Sequence, residues 1–197
     1  MPTLFVPPGF VRRLQHAAHS ADDIARARGT VVPLSNNSGI SDFPIPHHEN
    51  ALGSYDDVVK LDRLAQLANH NRVVNIPNGT GFCLYITRAC LAFVDHLAEA
   101  FERGYLEDVD FCLRAREKSF RNVCAADVYV GHAGSRSFRD AKRALVLKNL
   151  GILDHRFPTF RAESSSFAKA DPLRPARINI ERLRLARSIR YSAVPQQ

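Results

Sequence analysis

With 197 residues and 45% hydrophobic content, the chain can bury the core of one domain. No run approaches the ~18 apolar residues of a membrane-spanning helix, and residues 1–30 lack a signal-peptide apolar region, which sets aside a spanning protein and points to the cytoplasm. The formal charge of +7 sits at one end: residues 1–139 hold 15 Lys+Arg and 15 Asp+Glu, residues 140–197 hold 12 and 5.

Pro8-Gly9 opens a helix through about Ser20, with Phe10, Leu14, Ala17 and Ala18 at helical spacing. Gly29 starts a strand, Thr30–Leu34, that ends in the polar loop Ser35-Asn36-Asn37-Ser38-Gly39. Residues 40–53 have no usable period and read as irregular. Ser54 with Asp57 three residues on approximates a capping box for a helix whose apolar face is Val58, Leu61, Leu64, Ala65 and Ala68. Strands follow at Arg72–Ile76 and Gly81–Ile86, joined by Pro77-Asn78-Gly79. Helices are expected at Arg88–Val94 and Leu106–Lys118, and a strand at Asn122–Val130. A helix over Ala141–Leu150, a loop through Pro158 and Asp171-Pro172, and a helix over about Ala176–Tyr191 complete the chain. Strands alternating with helices predict an α/β layered sheet. Cys83, Cys90, Cys112 and Cys124 have no Cys-x-x-Cys spacing and read as thiols buried in a reducing compartment.

The densest chemistry lies in Gly104-Tyr105-Leu106-Glu107-Asp108-Val109-Asp110, where three carboxylates fall at the start of a helix. Backbone N–H groups and the helix dipole there favour an ionised carboxylate and hold it rigidly. The bland alternative is an acidic first turn that merely caps the helix. Asp110 stands four residues before Arg114, the spacing of an intrahelical ion pair worth a few tenths of a kcal/mol. Asp108-Val109-Asp110 is not read as a metal pair, because residues i and i+2 on a helix point apart. Gly79 and Gly81 bracket a loop where backbone can approach a ligand, or a turn that needs none. Asn36 and Asn37 suit sugar hydroxyls, or simply form a turn. His132 ends a strand and could serve as a cation ligand. His16, His19, His47, His48 and His70 are assigned no chemistry.

Taken in order, Pro7-Pro8-Gly9, Pro33-Leu34-Ser35-Asn36-Asn37, Gly79-Thr80-Gly81-Phe82, the Glu107-Asp108 pair, Asp127–His132 and Asp171-Pro172-Leu173 resemble the acceptor half of a family 2 glycosyltransferase of the GT-A fold. The resemblance implies a mixed sheet with flanking helices and inverting transfer of a sugar from a nucleotide-sugar donor to a glycan or lipid-linked acceptor. By it, Asp108 is the general base, Glu107 supports it, Gly79, Gly81, Asn36 and Asn37 contact substrate, and His132 is the third ligand of a divalent cation, Mg or Mn. The family's Asp-x-Asp pair belongs to a nucleotide-binding half that would precede Pro7, so residues 1–139 correspond to the acceptor-side half and residues 140–197 to a basic helical extension. The cation is expected of the complete enzyme rather than of this chain alone. The missing half or self-association is the expected protein partner.

Two positions depart from the family pattern. Val94-Asp95-His96-Leu97-Ala98-Glu99 stands where relatives read Val-Gly-x-Phe-Asp-Glu, and Lys118-Ser119 replaces the glycine that commonly ends the catalytic helix. They leave open a non-catalytic remnant that binds glycan or a partner protein. In the tail, Arg177, Arg184, Arg187 and Arg190 lie opposite Ile178, Leu185, Ala186 and Ile189, with Arg182 intruding. Core packing is the expected fate of those apolar residues, and peripheral contact with the inner membrane face is the alternative. No aromatic platform accompanies the tail, so nucleic acid is not an expected partner.

Overall fold

The computed structural model describes residues 4–20, 27–101, 105–134 and 139–192, with side chains described for all of these except 139–143 and 189–192. Gly104, residues 135–137 and the side chains of Ile189 and Arg190 fall outside the description. The architecture is mixed α/β. Its sheet contains β1 (Leu4–Phe5), β2 (Arg28–Ser35), β3 (Val73–Ile76), β4 (Tyr85–Ile86) and β5 (Arg121–His132). The order is β1-β5-β2-β4, with β3 also on β5. The β2–β5 pairing is parallel and the others are antiparallel. Both central strands are rich in β-branched residues buried on both faces, among them Val31, Val32, Val123, Val128 and Val130, as a sheet covered on two sides requires.

β5 serves two neighbours in succession. Its first part pairs with β3, from Asn122 opposite Ile76 to Ala125 opposite Val73. Its end pairs with β1, His132 opposite Leu4. Between them the register with β2 slips, so that Pro33 faces Ala125 but Leu34 faces Tyr129. A buried pair pins the slip. Arg13 donates to the Asp127 carbonyl at 2.8 Å and to Asp62 Oδ2 at 2.6 Å, while Asp62 Oδ1 accepts the Tyr129 N–H at 3.0 Å.

Helices cover both faces. α1 (Phe10–His19) sets Leu14, Ala17 and Ala18 against Val31, Val123 and Val130. α2 (Tyr55–Ala68) buries Val58, Leu64 and Ala65 on the other face with Val32 and Leu34, and Ser54 and Asp57 form the complete capping box. α3 (Arg88–Val94) and α4 (Glu107–Glu117) share a cluster of Cys90, Val94, Phe111 and Ala115. α5 (Arg139–Arg156) adds Leu153 to Phe101, Val109 and Leu113. α6 (Phe160–Ala170) and α7 (Arg174–Ser192) follow. None of the described helices is long and apolar enough to cross a membrane.

Several expectations need correction. The strand expected over Gly81–Ile86 shrinks to Tyr85–Ile86, since only Thr30 and Val31 of β2 are paired on that side; Cys83 therefore lies in a loop. The loop expected up to Asp171 holds the last turns of α5 and the whole of α6. The C-terminal segment is also integral to the core, since Leu173, Ala176 and Ile180 are fully buried and Leu173 and Ile180 join the α2 cluster. Arg177, placed by spacing on a basic surface, is buried and paired with Asp171. Core packing fails for Ile178, Leu185 and Ala186, which stay exposed.

At Asp95 and Ser119, the two positions where the resemblance expects glycine, the backbone takes a conformation that favours glycine. Asp95, just after α3, has φ 69, and Ser119, just after α4, has φ 65.

Candidate active site

α4 begins abruptly. Leu106 sits at φ 75 and offers no side-chain cap, while Glu107, Asp108 and Asp110 occupy the first turn and Arg114 and Arg116 the last. That polarity matches the helix dipole at both ends. The Gly81 loop docks onto this turn. Asp108 Oδ2 accepts the Gly81 N–H, and Oδ1 accepts the Val109 N–H at 2.8 Å. A Cβ on Gly81 would stand 3.1 Å from Oδ2, so the close approach suits glycine. Burial pushes the Asp108 carboxyl above its ordinary range, and the N–H groups of Gly81 and Val109 pull it back. Glu107 is raised by burial first and by the neighbouring Asp108 charge; its Oε2 is buried with no hydrogen-bond partner among the described residues.

Asp110 turns the other way. Its carboxylate is fully buried between Arg114 Nε and Arg156 Nη1, each at 2.7 Å. The expected Arg114 pair is present, and Arg156 from the end of α5 is a second partner that local spacing could not show. Asp108 and Asp110, two residues apart, thus meet separate surroundings.

His132 is positioned by the Asn36-Asn37 turn. Its N–H donates to Asn36 Oδ1 at 2.7 Å, and Asn36 Nδ2 donates to the carbonyls of His132 at 2.9 Å and Asn50 at 3.2 Å. Asn36 is buried and its amide is consumed within the fold, so it holds the His132 strand end rather than facing a ligand. The His132 ring makes a 2.6 Å bond from Nδ1 to the Asn37 carbonyl. A carbonyl only accepts, so Nδ1 carries the proton and Nε2 keeps its lone pair in the neutral ring. The ring stacks on Phe82 with centroids 5.1 Å apart and planes 19° apart.

These residues line one cleft of about 830 Å³ that takes in Asn37, Gly81, Phe82, Glu107, Asp108 and His132. Gly79 is buried beneath the loop; its N–H donates to Cys112 Sγ at 3.2 Å, and a Cβ there would stand 2.8 Å from the Val32 side chain. Burial pushes the Cys112 thiol up to about 12, so it acts as packing. Sequence reasoning missed several neighbours. His47, assigned no chemistry, lines the cleft, as do Glu49 and Asn78. α6 supplies Ser164, Phe167 and Ala168, held over the cleft by the 2.6 Å Arg116–Glu163 pair. Asn149 of α5, which is fully buried, donates to the Tyr105 carbonyl at 2.9 Å and fixes the approach to α4. A second cavity of about 570 Å³ at the far end of α4 includes none of the residues singled out as site residues from sequence.

Chemically, the cleft offers one rigid carboxylate ready to accept a proton, a second carboxylate beside it, an aromatic–imidazole face and a lone-pair nitrogen. It does not by itself fit a resident cation: among the described residues no three His, Cys, Asp or Glu side chains converge, and His132 brings one nitrogen. Compared with protein-family models, curated proteins and solved structures, the chain finds no match in any of the three.

Proposed function

We propose that this chain is the acceptor-side half of an inverting GT-A glycosyltransferase of the family 2 kind, working in the cytoplasm on a nucleotide-sugar and a glycan or lipid-linked acceptor. The observation that carries the reading is the cleft itself, which unites Asn37, Gly81, Glu107, Asp108 and His132 from four separate segments. Support also comes from Asp95 and Ser119, which hold left-handed φ where the resemblance expects glycine. Asp108 takes the proton of the acceptor hydroxyl as that oxygen bonds to the anomeric carbon and the bond to the donor's diphosphate breaks. The Gly81 and Val109 N–H groups aim its carboxylate and favour its ionised form against the effect of burial. Glu107 adjoins the base and takes a hydrogen bond from the acceptor. Phe82, stacked on His132, presents a flat apolar face to a sugar ring.

The test uses a protein in which this chain follows a nucleotide-binding half, assayed for nucleoside diphosphate release from a panel of nucleotide-sugars. Asp108→Asn should cut turnover by ~10²–10⁴-fold while leaving donor binding intact. Glu107→Gln should cost less, and Asp110→Asn should leave the per-molecule rate of folded protein close to that of the parent. Near-normal turnover in Asp108→Asn would place the base elsewhere.

A further inference from the structure

The far half of α7 lies outside both the fold's core and the cleft. Up to Leu183 one side of the helix is packed, with Ala176 and Ile180 buried, but residues 184–188 are all exposed. The helix outruns the body that it packs on. Its outward side sets Ile178 and Leu185 seven residues apart, with Arg182 between them. Leu185 is 58% exposed, and Leu67 on α2 is 61% exposed. Between the helices, Leu67, Ala68, Leu183 and Ala186 line a shallow apolar groove with Asn179 and Arg182. The charge around this patch is mostly positive. Arg182, Arg184 and Arg187 are exposed on this stretch of α7 against one carboxylate, Glu181, which pairs with Arg184 at 2.9 Å, whereas Arg177 is buried on Asp171.

We propose that this end of α7, with Leu67 beside it, is a docking surface for an anionic lipid membrane. Aliphatic side chains and arginines occur together here, and the occupant must use both. A second copy of the chain would bring the same arginines against these, which opposes self-pairing through this face. Nucleic acid would use the arginines, but it gains nothing from exposed leucines beside a groove whose described lining has no aromatic residue to stack on. An anionic bilayer interface uses both. Leu185, Ile178 and Leu67 enter the headgroup boundary with Arg182 beside them at lipid phosphate, while Arg184 and Arg187, further round the helix, add long-range attraction to the anionic surface. This inference is independent of the glycosyltransferase reading.

The experiment is co-sedimentation of the full chain with vesicles of phosphatidylcholine alone, and of equal parts phosphatidylcholine and phosphatidylglycerol. Low salt is compared with ~0.5 M NaCl, where charge attraction is screened within a few Å. Binding is expected only to the anionic vesicles, and salt should weaken it. The Arg182→Glu/Arg184→Glu/Arg187→Glu variant should lower the partition coefficient more than ~10-fold. Leu67→Ser/Leu185→Ser changes only exposed positions and should lower it several-fold at unchanged melting temperature. Equal partition into neutral vesicles, no partition into either, or full binding by the leucine variant would overturn the proposal. So would tighter binding to poly(U) RNA than to anionic vesicles, weakened by the arginine variant but not by the leucine variant.

Discussion

Asp110→Asn is the sharpest test of how α4 is held. Local spacing suggests an ordinary i,i+4 pair with Arg114, worth ~0.3–0.5 kcal/mol on an exposed helix. The structure alters that magnitude in two ways. The carboxylate is 0% exposed, and it faces two guanidinium groups at 2.7 Å, one of them brought from α5 by Arg156. Asn retains one acceptor oxygen, so one arginine keeps a neutral partner and the other meets an N–H. Breaking a buried pair costs ~3–5 kcal/mol. Here Arg114 and Arg156 are 19% and 35% exposed, so water recovers part of their hydration. Arg114 also keeps the carbonyls of Val94 and His96 at 2.6 and 2.8 Å. The expected loss is therefore ~2–3 kcal/mol by equilibrium urea unfolding, or ~5–10 °C in melting temperature for a chain of this size. Arg156→Met should recover less than the full effect, because Arg114 remains. A loss below ~0.5 kcal/mol in Asp110→Asn would mean that the carboxylate is not enclosed by the two arginines, and the account of how α5 is tied to α4 would fall with it.

Ser119→Gly should raise stability by ~0.5–1 kcal/mol in the same urea assay, because Ser119 holds φ 65 and glycine occupies that region without the Cβ penalty; a destabilised variant would refute the strain argument. Glu107→Gln should become progressively more stable than the parent as pH rises. Burial, aided by the Asp108 charge, raises the Glu107 pKa above its unfolded value, so its favourable contribution is complete below the unfolded pKa and is lost as pH climbs through the folded one. A stability difference that does not change with pH from below the ordinary carboxylate range to neutrality would contradict that assignment.

The legible parts of the sequence were those whose cause is local. The Ser54–Asp57 box, the Arg88–Val94 helix and the acidic first turn of α4 each rest on residues within about two turns of each other, and each appears where the spacing placed it. α6 was illegible because it buries no residue completely and because Ser164-Ser165-Ser166 reads as loop. Its contribution to the cleft depends on the distant Arg116–Glu163 pair. Asn36 illustrates a different failure. The residue was singled out as a sugar contact, but its amide points inward because the end of β5, 96 positions later, needs its backbone groups satisfied. Asp110 was likewise given one partner of two, since Arg156 lies far along the chain and only the packing of α5 brings it near.

β5 has a consequence for the order in which the molecule can be assembled. Among the described residues, β1, β2 and β3 all pair with residues 121–132, and what forms without that strand is the short β2–β4 ladder and the single Ser35–Asp42 bridge. During synthesis, the first 120 residues would leave the ribosome with almost no sheet to join, exposing the valines of β2 until the last strand arrives. Contacts so distant in sequence make for slow folding and a late, cooperative closure. A fragment that stops before Arg121 should therefore be a substrate for chaperones and proteases rather than a smaller version of the same domain.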